Sequence, residues 1–188
     1  MSTPLALRLL LPEERDAFFA YLADHLGDNG MNGTPLFQPA IPGSNVLVPE
    51  KVAALTAGLE RELDEPGWRR IWIAIDNTDQ GGVIAGHVDL RSRADILASH
   101  RTLLGMGVHR AYRRRGLGFA LITHALNWAT SQPQLHWVDL EVMAINDSAQ
   151  RLYERHGFVK LSETPDMFRI GGQPYSYISM TRPLHRDD

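Results

Sequence analysis

Thr102-Leu103-Leu104-Gly105-Met106-Gly107-Val108, followed by Arg113-Arg114-Arg115-Gly116-Leu117-Gly118, decides how this chain is read. The first run reads as a strand, the second as a basic turn, and an apolar helix then extends to near Thr130. After Pro133 a second strand, Leu135 to Met143, carries Glu141. A second helix starts at Asn146-Asp147-Ser148, carries Tyr153 and is closed by Gly157. Two strand-to-helix units therefore stand side by side, one with a glycine-and-arginine turn and one with a carboxylate and a phenol.

Gly116 and Gly118 sit where a strand gives way to a helix. Glycine there admits otherwise strained backbone angles and lets a ligand come close. The freed N–H groups and the positive helix end form an anion site. Arg113, Arg114 and Arg115 add charge, and guanidinium forks suit phosphate oxygens. A pyrophosphate is the natural occupant, although the spacing fits a tight turn beside a solvated basic face equally well. A dinucleotide fold needs a third glycine where this chain has Leu121. The Gly-Lys-Ser/Thr of a nucleotide P-loop occurs nowhere.

In the second unit, Glu141 projects opposite its apolar neighbours Leu140 and Val142. Asp147, with Gln150 three residues on, predicts a capping box. Ala149, Leu152, Tyr153 and His156 fall on one helical face, and Gly157 suits the C-terminal cap. On spacing alone Tyr153 fits core packing as readily as chemistry, and Asn146 fits a strand-to-helix turn.

The run Val108…Arg113-x-x-Gly116-x-Gly118 resembles the acyl-CoA signature of the GNAT superfamily of N-acetyltransferases. Leu140-Glu141-Val142-Met143-Ala144-Ile145-Asn146 through Leu152-Tyr153-Glu154-Arg155-His156-Gly157-Phe158 resembles that family's second conserved region. The likeness is nearest to N-terminal and small-amine acetyltransferases of the ribosomal-protein alanine type. It implies acetyl-CoA as co-substrate, with Met106 and Val108 offering main-chain groups to the pantetheine. Arg114, Arg115, Gly116, Gly118 and Phe119 would cradle the pyrophosphate, and Arg113 would support the loop or meet a phosphate. Asn146 would hold the cofactor, Glu141 would serve as general base and Tyr153 as general acid. Asp89 and His87, at the end of an earlier strand, are the alternative bases. The fold implied is an α/β (α+β) single domain over residues 1–188, a mixed, mostly antiparallel sheet flanked by helices. The cofactor core would span about 102–160, and the acceptor side about 12–66 and 162–180.

That chemistry needs these residue types. An amine attacks a thioester only when neutral, so a carboxylate must take a proton, directly or through water. The departing thiolate needs a proton, which a phenol can supply. Strand N–H groups near Met106 to Val108 could polarise the thioester oxygen. Holding amine and thioester together would provide most of the acceleration.

The whole chain is consistent with this. At 188 residues it suits one domain with a real core. Its net charge of −3 makes the basic turn a local feature and argues against a nucleic-acid partner. There is no cysteine, so thiolate and disulfide chemistry are excluded. No two of the eight histidines lie within four residues of each other, and no metal is expected. Met1 to Leu11 makes a poor signal peptide and no segment reads as a membrane span, so the cytoplasm is the default and no membrane partner is expected. The expected partner is an acceptor bearing a primary amine, on a small molecule, peptide or protein; association into a homodimer is left open. The alternative function is a non-catalytic acyl-CoA sensor on the same fold.

The remaining segments read in order. Leu5 to Leu11 is a strand, and Pro12-Glu13-Glu14 opens a helix with Phe18, Tyr21, Leu22, His25 and Leu26 at helical spacing. Gly27 to Pro49 is a loop too long for a simple connector, and it fits a binding loop and a floppy surface excursion equally well. A helix from Pro49 carries Val52, Leu55, Leu59 and Leu63 and stops at Pro66-Gly67. Trp68 to Ile75 and Val83 to Leu90 form a hairpin around a turn from Asp76 to Gly82. Arg91 to His100 connects to the strand at Thr102. After Gly157 come a short strand, Phe158 to Leu161, a loop over Ser162 to Asp166, a turn at Gly171-Gly172-Gln173-Pro174 and a last strand from Tyr175 to Met180. The expected order is β-α-α-β-β-β-α-β-α-β-β. The resemblance makes Phe37, Phe168, Tyr175 and Tyr177 candidate linings of the amine site, although each by its own position fits core or turn packing more readily.

Overall fold

Alternation in Arg69–Asp76 sets the layering of the molecule. Ile71, Ile73 and Ile75 pack with Phe18, Leu22, Leu26 and Leu55, whereas Trp72 and Ala74 join the larger cluster around Leu121, Ile122, Ala125 and Leu126. One strand thus feeds two cores, as a period-two pattern apolar on both faces requires. The computed structural model describes residues 5–77 and 82–184. Residues 78–81 of the expected hairpin turn, and the first four of the N-terminal segment, lie outside the described residues.

The elements follow the predicted order: β1 (Ala6–Leu9), α1 (Arg15–Gly27), α2 (Pro49–Glu60), β2 (Arg69–Asp76), β3 (Val83–Ser92), β4 (Arg101–Val108), α3 (Leu117–Thr130), β5 (Trp137–Met143), α4 (Asp147–Arg155), β6 (Val159–Ile170) and β7 (Gln173–Pro183). The seven strands form one sheet in the order β1-β2-β3-β4-β5-β7-β6. Every neighbouring pair is antiparallel except β4 with β5. α1 and α2 cover the face that bears Ile71, Ile73 and Ile75, and α3 covers the other, with Tyr153 of α4 in the same core.

Three local expectations are corrected. The segment after Phe158 is no short strand with a loop, because β6 runs through Ser162–Asp166 to Ile170. As an exposed edge strand it accommodates Pro165 and the positive φ of Asp166 in register shifts at Lys160/Ser162 and Thr164/Phe168. α2 ends at Glu60 rather than at Pro66-Gly67. Arg61 is extended, and the Glu62 N–H donates to Glu65 Oε2 at 2.7 Å, a local side-chain bond that competes with another helical turn. The cap of α4 is Asn146, not Asp147. Asn146 Oδ1 accepts from the Ala149 N–H at 3.3 Å, while Gln150 Nε2 donates to the Ala144 carbonyl at 2.8 Å.

The parallel pair ends early. β4 and β5 pair only over Arg101–Leu103 and Trp137–Asp139, yet β4 continues to Val108 and β5 to Met143. The sheet therefore splits between them. A charged cluster holds the closed end of the split. The Asp139 carboxylate accepts from Arg93 Nη2 at 2.8 Å, Arg101 Nη2 at 2.5 Å and Thr181 Oγ1 at 2.6 Å. Burial alone would raise the pKa of this carboxyl, but the bonds from Arg101, Thr181 and Arg93 outweigh it and hold it below the usual range.

Candidate active site

The split leaves main-chain groups without a strand partner. The His109 N–H donates to the Ala85 carbonyl at 2.9 Å, which fixes the alternation along β4. Gly105 and Gly107 therefore bond to β3, and the main-chain groups of Met106 and Val108 turn toward the opening. The Val108 carbonyl accepts from Arg113 Nε at 3.1 Å.

At the mouth of the opening stands the first turn of α3. Its N-cap, Gly116, has φ +79°, and no side chain caps the helix. The N–H groups of Leu117, Gly118 and Phe119 precede the first helical bond, which runs from Ala120 to the Gly116 carbonyl at 3.1 Å. Those donors and the helix dipole favour negative charge there. Gly118 is needed for a different reason. A Cβ at this position would lie 3.1 Å from Leu152 Cδ2 and 3.3 Å from Met106 Cε, so its absence lets α3 settle against β4 and α4. Arg114 and Arg115 are exposed beside this turn, and Arg114 itself has φ +61°. Arg113 points elsewhere. It donates through Nη1 to Thr34 Oγ1 at 2.6 Å and through Nη2 to Asp28 at 3.4 Å, which ties the loop after α1 to the turn. Phe119 is exposed, with its ring 4.2 Å from that of His156.

The two faces of the opening carry different chemistry. Leu103 and Asp139 are the last paired residues, so Gly105 and Glu141 occupy the next matching positions on the α1 face. Glu141 is exposed and makes no hydrogen bond or ion pair among the described residues. It neighbours Tyr177, the ladder partner of Met143, whose hydroxyl pKa is raised by burial and then by the Glu141 charge. Tyr153 lies on the α3 face, 8% exposed, with its ring edge-on to Phe158 at 5.9 Å. Its hydroxyl has no hydrogen-bond partner among the described residues. The one sealed, unpartnered side-chain polar atom there is His25 Nδ1, so the Tyr153 hydroxyl touches solvent. Burial, then Tyr177 and Asp89, raise its pKa well above that of a free phenol. Both of those residues belong to the opposite face of the sheet. Asn146 is 8% exposed, and with its oxygen on Ala149 and Ser148 its amide N–H groups remain to donate.

The two alternative bases are engaged. Asp89 is buried and its Oδ2 accepts from both Arg69 and Arg91 at 3.0 Å. Burial would raise its pKa, but those two guanidiniums hold it below the usual range. His87 Nδ1 shares a hydrogen bond with the Tyr21 hydroxyl at 3.1 Å, and burial pushes its pKa down to about 4.

β4 and β5 thus carry Met106, Val108 and Glu141, the start of α3 carries Gly116, Gly118 and Phe119, and α4 carries Tyr153 behind its cap Asn146, with Arg114 and Arg115 exposed beside the α3 turn and Arg113 set back under the loop. Sequence reading missed Asp139, which holds the closed end. The available signal was an acidic residue inside the apolar run Val138 to Val142. It also missed Arg69 and Arg91, whose signal was arginine at paired ends of a predicted hairpin.

Comparison with known proteins accords with this fold. Residues 44–158 match the model of the Acetyltransferase (GNAT) family. No curated protein matches the chain. Among solved structures, a GNAT-family acetyltransferase from Streptococcus pneumoniae is 22% identical, with TM-score 0.75 over 95% of this chain and 99% of that one. The putative acetyltransferase yncA from Salmonella typhimurium, solved with acetyl-CoA, is 15% identical, with TM-score 0.76 over 98% and 96%. A ribosomal-protein-alanine N-acetyltransferase from Brucella melitensis is 15% identical, with TM-score 0.73 over 95% and 99%. At these identities the likeness concerns the fold.

Proposed function

The chain belongs to the GNAT acetyltransferase family, and on that premise we propose that it transfers an acetyl group from acetyl-CoA to a primary amine in the opening between β4 and β5. The observation that carries this reading is the split itself, where β4 and β5 stop pairing after Leu103 and Asp139 and both run on. Met106 and Val108 bind an extended amide-bearing arm as a strand edge binds a peptide. The N–H groups at the start of α3, with Arg114 and Arg115, bind the pyrophosphate. The free amide N–H groups of Asn146 hold the arm from the β5 side.

An amine acceptor is mostly protonated near neutral pH, and Glu141 takes that proton so that the nitrogen lone pair can attack the thioester carbon. The main-chain N–H of Met106 or Val108 steadies the charge that grows on the carbonyl oxygen. Tyr153, kept a phenol by its raised pKa, gives its proton to the sulfur as the C–S bond breaks, and the nitrogen, positively charged after attack, loses its second proton to restore the phenol and leave the neutral amide. The amine comes from the α1 face, past the loop over 28–48 and the β6–β7 hairpin, and aligning it with the thioester supplies much of the rate.

Support for Glu141 as the base is its freedom from partners, against the ion-paired Asp89 and the hydrogen-bonded His87. Glu141→Gln is expected to lower kcat about 100-fold and to remove the contribution of the carboxylate from the rise of kcat with pH. The KM for acetyl-CoA should stay near that of the wild type. Full activity with an unaltered pH–rate profile would shift the role to Asp89 or His87.

A further inference from the structure

We propose that the cationic hollow between α2 and the ends of β2 and β3 receives an anionic group of the acceptor, a carboxylate or a phosphate, so that the preferred substrate is an amine carrying negative charge. This rests on the transferase reading above and narrows its acceptor class.

The hollow has a volume of about 360 Å³ and is lined by Lys51, Arg61, Arg69 and Arg91, with Leu55 and Ser92 among its other walls. That is the size of a small-molecule site. Arg69 and Arg91 are ladder partners on the same face, a like-charge pair that disfavours the sheet unless an anion separates it. Asp89 is that anion, but its Oδ2 serves both guanidiniums. Four cations therefore face one carboxylate. Arg61 donates to the Pro66 carbonyl at 2.5 Å, which orients but does not neutralise it. Burial, followed by the charges of Arg69 and Arg91, holds the Lys51 ammonium below its usual pKa, with Asp89 opposing. An arriving anion would relieve that repulsion and find donors already in place.

Arg91 joins this hollow to the split sheet. A Cβ at Gly105 would lie 3.0 Å from Arg91 Nη1 and 2.5 Å from Asp89 Oδ1, so both side chains extend across the bare backbone of β4. Gly105 stands level with Glu141 on the same face. The Arg91 charge also acts on Tyr177, beyond the opening. The Arg91 head and Glu141 thus stand on one face across the split, and one small molecule bridges them with its anion over Arg91 and its amine beside Glu141.

Replacing Arg69 or Arg91 would strip buried Asp89 of a partner and endanger the fold. Lys51 is exposed on the first turn of α2, so Lys51→Gln is the informative variant. The enzyme and this variant are assayed with acetyl-CoA for thiol release against free amino acids, the same amino acids as C-terminal amides, and O-phosphoethanolamine with ethanolamine. The amides carry the less basic amine, so protonation alone favours them. The expected result is at least one acid exceeding its neutral counterpart tenfold or more in kcat/KM, with the carboxylate and phosphate arms identifying the anion. Lys51→Gln should raise the KM of that acceptor about tenfold, retain its kcat and shrink the preference over the neutral counterpart. Neutral amines turned over as well as their acids, or a Lys51→Gln effect equal on both, overturns this inference alone. Turnover of no amine at all, with acetyl-CoA bound, overturns the transferase reading and this inference with it.

Discussion

Tyr153→Phe is expected to lower kcat by about 100-fold or more while the protein stays folded. The two consequences separate because the ring and the hydroxyl do different things. The ring is packed in the core against Phe158, and phenylalanine fills the same space. The hydroxyl has no protein partner among the described residues, so removing it orphans no buried group. Unfolding free energy should change by less than about 1 kcal/mol. In the proposed reaction the hydroxyl, whose pKa burial raises, is nevertheless the proton donor. Chemical denaturation and steady-state kinetics on one preparation measure both. A variant with wild-type kcat would mean that water protonates the leaving sulfur.

Asp139→Ala should show the reverse pattern, a loss of stability that carries the site with it. The carboxylate binds Arg93, Arg101 and Thr181, and its side chain is only 5% exposed. Removing one member of a buried charge cluster costs about 3–5 kcal/mol. The two arginines are 38% and 25% exposed and can reach water, so about 2–3 kcal/mol is expected here. Since this cluster holds the closed end of the opening, the KM for acetyl-CoA should rise as well. Asp139→Asn keeps an oxygen for Thr181 and should cost less. Urea denaturation of both variants reads the difference; equal stability of Asp139→Ala and wild type would show that the cluster does not hold the strands.

What could be read from the residues alone depended on how local its cause was. The two-faced alternation of β2 and the turn at Arg113–Gly118 are set by neighbours in sequence, and both were visible. The element order followed from the same signals. β6 was misjudged because Pro165 and Asp166 look like a loop, while an exposed edge strand tolerates them in a bulge. The cap of α4 moved from Asp147 to Asn146 because both residue types serve there equally well. Long-range pairing was the least legible. Arg93 and Arg101 reach Asp139 across 46 and 38 residues, and Lys51 meets Arg69 and Arg91 only once α2 lies on the sheet. Glu141, Asn146 and Tyr153 stood out by their resemblance to a family motif, since each has an ordinary structural use at its own position.

The transfer of acetyl to an amine in the split between β4 and β5 is tested most directly by following thiol release from acetyl-CoA with a panel of primary amines. Release that depends on both an amine and acetyl-CoA, and that collapses in Tyr153→Phe, is the predicted result. Tight binding of CoA with no release on any amine would contradict it and mark the protein as an acyl-CoA sensor.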